Sequence, residues 1–347
     1  MAAIVIAGAG VTGLITAVRC VRAGHQVTLV DRGPIPNPAS SSFDQHRALR
    51  ALTPGDASAT LAAATLHQRW LRLQELLGGR FYRRIGVVTG WPADSVDAVL
   101  DLARQAELSI TLLAPTDLPH LVLPTGYLGV QETDAGVLLA ERVLHAATRW
   151  LRGRAAVTLR PWRAVVAVDS DAGRLTLDDG TVLSGDVILL ATGAWTSDLV
   201  DVRTVLHRQT TVYLQPPADL APWWERAPIA GRVGACGHGW LMPPGAGTLL
   251  KLSSTELCRA VPAFTAADED RAAARRHVAR ILTDPDRYTV AAVKQCHYTV
   301  AARPGDAVLA RPGPAVWARA ATGGDGFRTA PLIADHIVQL AAAGLAA

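Results

Sequence analysis

The chain of 347 residues is poor in lysine: of its 34 basic residues only Lys251 and Lys294 are lysines, and the rest are arginines. No block of five or more like charges occurs and the formal net charge is only +4. The basic stripe with which a nucleic-acid-binding protein meets a phosphate backbone is therefore missing. Cysteine is scarce too. Cys20, Cys236, Cys258 and Cys296 lie far apart and form no CxxC pair, which argues against a zinc knuckle and a disulfide framework and fits reduced thiols in a cytoplasmic protein. No run of about 18 uninterrupted apolar residues offers a membrane-crossing helix. The apolar run from Ala2 to Ala7 passes directly into Gly8 with no charged segment before it, which argues against a secretory leader. Half of the residues are hydrophobic and 18% are charged, so the chain is too apolar for disorder and long enough to bury a large core over about two domains.

What is present starts at the first strand. Ile4 to Ala7 reads as a fully buried strand, Val11 to Ala23 as a helix, and Gln26 to Val30 as a second buried strand ending at Asp31. The turn between them is Gly8-Ala9-Gly10-Val11-Thr12-Gly13, a GxGxxG inside a βαβ unit with an acid 18 residues after its last glycine. Glycines there allow the tight turn, the approach of backbone to a pyrophosphate at the helix N-terminus, and close packing of helix on strand. A bound dinucleotide is thus expected against Gly8, Gly10, Val11, Thr12 and Gly13. Asp31 would accept from its ribose hydroxyls, with Arg32 alongside.

Beyond Arg32 a Pro/Asn/Ser-rich loop runs to Ser42, and a helix is expected from Asp44 with Arg47 and Arg50 one turn apart. Helices are also expected over Leu61–Leu77, Trp91–Ala106, Gly136–Arg152 and Ala272–Ile281, and a strand over Phe81–Thr89. Leu159 to Leu183 reads as a meander turning at Asp179-Gly180. Asp186 to Ala191 reads as a buried strand that stops at Thr192-Gly193-Ala194-Trp195, where Gly193 would let the chain pass close to the cofactor. Two side chains stand out by their setting. Lys251 sits in Leu249-Leu250-Lys251-Leu252, where a charge is costly unless paired, used or turned to solvent. Cys296 has three open readings: a core thiol, a metal ligand with His297, or a nucleophile favoured by nearby Lys294.

The pair GAGVTG and DVILLATGAWT resembles the FAD-dependent amine oxidoreductases of the D-amino-acid oxidase superfamily. Four further stretches resemble the monomeric sarcosine oxidase subfamily, which acts on N-methyl and cyclic amino acids: SSFDQHRALR, TLLKLS, KQCHYT followed by Asp306, and ATGGDGFRTAP. The resemblance implies an α/β plus β fold. An FAD-binding Rossmann-like domain (residues 1–80, 145–205 and 290–347) would interleave with a mixed-sheet substrate domain (81–144 and 206–289).

It also implies residue roles. Arg50 and Arg328 would hold the substrate carboxylate, although the family usually shows Lys at the latter position. Lys251 would place its ammonium where oxygen is reduced. Cys296 would bond FAD covalently. Ser42 and Arg47 would contact the flavin, as would Gly193 after the returning strand and Gly324, Gly326 and Phe327 in the glycine-rich loop. Tyr298 and Trp240 would wall the pocket. Asp325 stands where these oxidases usually show His and Thr255 where an active-site His is common, which turns the expectation from sarcosine towards an amino acid with an additional cation. Thr329-Ala330-Pro331 would open the last helix and aim its positive end at the flavin.

The activity implied is oxidation of a secondary, cyclic or N-substituted amino acid by hydride transfer to FAD, with O2 reduced to hydrogen peroxide. The alternatives are a dehydrogenase that passes electrons to a carrier and a non-catalytic flavoprotein subunit. The partners expected are a small amine or amino acid and O2, with no metal, nucleic acid or membrane.

Overall fold

A strand with no polar side chain to offer to water must be covered on both faces, and Ile4-Val5-Ile6-Ala7 is such a run. It forms β1 (Ala3–Ala7) at the centre of a parallel sheet. The computed structural model describes residues 1–53, 55–265, 271–303, 309–320 and 323–343. Among these residues five strands make up that sheet, in the order Val316–Ala318, Val187–Leu190, β1, β2 (Gln26–Val30) and Val157–Arg160. The expected returning strand lies beside the first, with Ile4 opposite Val187 and Ala7 opposite Leu190. Helix α1 (Val11–Arg22) buries Leu14, Ile15, Ala17 and Val18 completely. It packs against the helices Ala140–Arg152 and Gly326–Ala343, closing one face of the sheet.

A larger mixed sheet has the order Cys258–Ala260, Thr204–Gln215, Leu250–Ser254, Gly239–Met242, Ile229–Val233, Val87–Pro92, Tyr127–Glu132 and Ile110–Leu113, and Thr289–Ala301 also pairs along Thr204–Gln215. It is mixed because Ile229–Val233 runs parallel to Val87–Pro92 while the remaining pairs are antiparallel. The expected meander is present as Val165–Asp169, Arg174–Leu177 and Val182–Ser184, but Leu159, expected at its start, lies instead on Val157–Arg160 at the edge of the parallel sheet. Among the described residues no helix is long and apolar enough to cross a membrane.

Four expected elements differ. The stretch from Asp44 is not a helix: Arg47–Leu49 is β3, paired antiparallel with Gly136–Leu138. The same pairing overturns the helical start at Gly136, and the helix there begins only at Ala140. In both cases a cross-strand partner far away in sequence outweighs the local periodicity. Trp91 and Pro92 end a strand, and the helix after them starts at Val96. The last helix opens at Gly326, with Pro331 inside it rather than in its first turn. Proline is tolerated there at the loss of one backbone hydrogen bond. The helix N-terminus therefore falls within the glycine-rich loop itself.

Candidate active site

Two adjoining cavities, of about 500 and 520 Å³, meet at a common wall that includes Gly10, Ser42, Asp44, Arg47, Gly193 and Cys296. The second is lined by the glycine turn and Asp31. Gly8 has a left-handed backbone (φ 99°), and a Cβ on it would stand 2.4 Å from the Ala191 carbonyl oxygen, while one on Gly13 would stand 1.9 Å from the Gly8 carbonyl oxygen. Gly13 does not line either cavity; its role is the close approach of α1 to the turn. Ser42 Oγ accepts from the Val11 amide at 3.0 Å, which fastens the Ser-rich loop across the start of α1. Asp31 is buried and lines the second cavity. Its carboxylate accepts from the amides of Ala9 and Gly33 and from Asn37 Nδ2, each at 2.8 Å. Arg32 lies over the Trp195 ring at 3.8 Å, and Trp195 stacks in turn on Phe264 at 4.6 Å.

The first cavity holds the charges. Val11, Thr12, Arg50, Lys251, Tyr298, Gly324, Asp325, Gly326, Phe327 and Arg328 all line it. Lys251 does not face solvent: it is 4% exposed, and its Nζ donates to Asp44 Oδ2 at 2.5 Å. Burial and the Arg47 charge push its ammonium down to about 8, against the opposing pull of Asp44. Burial works against ionisation of Asp44, but Arg47 and Lys251, with hydrogen bonds from Lys251 and Tyr213, hold its carboxyl well below the usual range. Tyr213 donates its hydroxyl to Asp44 Oδ1 at 2.6 Å, and Arg47 donates to Oδ2. Trp240 lies 5.7 Å from Lys251 Nζ.

Arg50 and Arg328 come from the end of β3 and the first turn of the last helix. Arg50 donates to the Leu52 carbonyl. Arg328 donates to Thr53 Oγ1 at 3.0 Å and to Asp325 Oδ2 at 2.7 Å. Burial lowers the pKa of Arg50 and the neighbouring Arg328 charge lowers it further, against the opposing pull of Asp325 and Glu132. Asp325 is thus engaged by a cation of the chain itself. Arg319, buried on the same cavity, is pushed down to about 10 by burial, with Asp325 opposing.

On Thr289–Ala301 the two-residue period of a strand puts Lys294, Cys296 and Tyr298 on one face. Cys296 lies at the junction of the cavities, Lys294 on the second and Tyr298 on the first. No disulfide forms among Cys20, Cys236, Cys258 and Cys296, and no group of three or more His, Cys, Asp or Glu among the described residues is arranged to hold a metal ion. Asp306, and Ala321 and Thr322 of the glycine-rich stretch, lie outside the described residues.

The sequence profile of the DAO family, described as FAD dependent oxidoreductase, matches residues 3–340. The chain belongs to that family. No curated protein matches it by sequence. Solved structures that it resembles include a modified fructosyl peptide oxidase from Aspergillus nidulans (18% identity, TM-score 0.78, covering 98% of this chain and 90% of that one). A second is NikD, described as an unusual amino acid oxidase essential for nikkomycin biosynthesis (18%, 0.75, 98% and 93%). A third is L-proline dehydrogenase from P. horikoshii (14%, 0.82, 97% and 92%). At these identities the likeness establishes the fold.

The residues present fit FAD. Gly10 lines both cavities and Gly8 the second with no side chain in the way, Asp31 stands at one end, and the combined cavity runs from there past the start of α1 to the cationic cluster. Sequence reasoning missed Asp44, Tyr213 and Glu132. Asp44 was within reach, since it precedes Arg47 by three residues. Glu132, 4% exposed, accepts from the amides of Ala51 (2.8 and 3.0 Å) and Leu52 (2.9 Å), and so fixes the backbone just after Arg50.

Proposed function

We propose that the protein is an oxidase of carboxylate-bearing secondary, cyclic or N-substituted amino acids, of the kind typified by monomeric sarcosine oxidase. The observation that carries the reading is the pairing of Arg50 with Arg328 on a cavity that also holds a buried lysine. Asp325 already answers the Arg328 charge, whereas among the described residues the Arg50 guanidinium donates only to the Leu52 carbonyl, so the pair retains donors for an incoming anion, and a planar carboxylate suits their forks. Bound FAD would supply the two-electron acceptor and the route from it to oxygen.

The chain's own residues do the rest. Arg50 and Arg328 hold the carboxylate and so orient the amine-bearing carbon. Asp325 keeps Arg328 in place by their shared hydrogen bond, and Trp240 and Tyr298 wall the pocket. Lys251, held by Asp44, keeps a positive charge where oxygen gains electrons. Cys296 at the cavity junction would hold the flavin through its sulfur. In this reading residues 1–80, 145–205 and 290–347 carry the cofactor and residues 81–144 and 206–289 roof the substrate. The absence of disulfides among the four cysteines supports a cytoplasmic location.

A dehydrogenase reading draws support from the fold shared with the proline dehydrogenase, but the burial of Lys251 favours direct reaction with oxygen. The test is hydrogen peroxide formation from a panel of N-methyl, N-carboxymethyl and cyclic amino acids, each run beside its decarboxylated analogue. Peroxide is expected only when the carboxylate is present. Equal turnover of the analogues would overturn the role of the arginine pair, and reduction of an artificial carrier without peroxide would establish the dehydrogenase.

A further inference from the structure

The antiparallel pair Ile229–Val233 and Gly239–Met242 carries a bulge: Gly231 faces Trp240, Val233 faces Gly239, and Arg232 is the extra residue between them. Its backbone is left-handed, φ 53°, a conformation that disfavours any residue with a Cβ and persists where the surroundings impose it. Bulges of this kind re-aim a side chain. Here the Arg232 guanidinium lies over the Trp91 ring at 4.4 Å and 5.9 Å from the Tyr127 ring, and Arg232 lines the first cavity but not the second. Among the described residues it has no hydrogen bond or ion pair from its side chain. That contrasts with Arg328, tied to Asp325, and Arg47, tied to Asp44. A guanidinium held on an aromatic shelf by a strained bulge, on the substrate cavity and without a counter-charge, is a preformed anion receptor.

We propose that Arg232 binds a second carboxylate of the substrate, so that the preferred amino acid is a dicarboxylate. The first carboxylate goes to Arg50 and Arg328, and the second, on the side chain or the nitrogen substituent, reaches Arg232 on the part of the wall built by the large sheet. This rests on the amine-oxidase reading above and narrows its substrate class.

The test follows the flavin absorbance of the holoenzyme during titration with acetate and with succinate, glutarate and adipate, each dicarboxylate beside its monomethyl ester. At least one dicarboxylate is expected to bind about tenfold or more tightly than its ester, the scale of one charge-assisted contact. Arg232→Gly, which suits the left-handed backbone and should not lower the melting temperature, removes that preference and leaves acetate binding unchanged; Arg232→Lys keeps part of it. A preference that survives in Arg232→Gly, or no preference in the parent enzyme while acetate still binds, overturns the assignment of Arg232. Failure of every carboxylate to perturb the flavin overturns the arginine-pair reading itself, and with it this extension.

Discussion

At Lys251 two electrostatic forces oppose each other. Loss of water and the Arg47 charge disfavour the ammonium, and the Asp44 carboxylate 2.5 Å away favours it, with the balance at about 8. The charge is present below that pH and lost above it. The rate of reoxidation by oxygen should therefore fall as pH rises through about 8, and Asp44→Asn should move the fall to lower pH. Lys251→Met should lose the pH dependence together with about 10² or more of the rate, the scale for removing one preorganised charge. Stopped-flow mixing of reduced enzyme with oxygen measures all three. The same shift has a consequence for stability. A lysine whose folded value lies below its ordinary 10.5 costs stability while both folded and unfolded chains hold the proton, and that cost fades as pH rises from about 8 towards 10.5.

At the scale of elements, β3 shows how the large sheet acts on the site. Arg50 follows a three-residue strand too short to hold a side chain rigidly by itself. Its position is set by Glu132 at the end of Tyr127–Glu132, whose carboxylate gathers the next two backbone amides. Burial raises the Glu132 pKa, opposed by those amides and by Arg50. Glu132→Gln can keep one oxygen on both amides but sets its NH2 where the other oxygen accepts from Ala51 at 2.8 Å, donor against donor, at a cost of about 1–3 kcal/mol. As a positioning residue it should raise KM roughly tenfold while kcat changes by less than about threefold, because the carboxylate grip loosens and the reacting atoms are untouched. Steady-state kinetics beside thermal melting separate that from plain destabilisation, which would lower the melting temperature and the active fraction without raising KM.

Element pairing also marks where the sequence was legible. The βαβ unit, the returning strand and the meander from Val165 onward are legible because their signals are local: apolar runs, the glycine turn, an Asp-Gly hairpin. The stretch from Asp44 to Arg50 was misread because arginines three apart fit a helix face, while the deciding partner, Gly136–Leu138, lies some ninety residues on. Lys251 was singled out by an apolar setting, and its burial bears out that setting. Arg232 gave no such signal, since one arginine among many is informative only once the bulge and its aromatic shelf exist.

Across the whole molecule, segments from both ends of the chain and from its middle converge on one elongated space. The parallel sheet supplies the glycine turn and Asp31, the mixed sheet supplies Lys251, Cys296 and Tyr298, and the last helix brings Gly326 to Arg328 to the same cavity. The central claim is that this space would hold one FAD, attached at Cys296 where the two cavities meet. Acid precipitation of the purified protein, followed by intact mass and peptide mapping, tests it most directly. The account predicts a yellow pellet, a mass increase of one FAD carried by the peptide containing Cys296, and release of the flavin in Cys296→Ala. A flavin attached to a peptide remote from the junction, or a colourless protein that takes up no FAD on reconstitution, would contradict it.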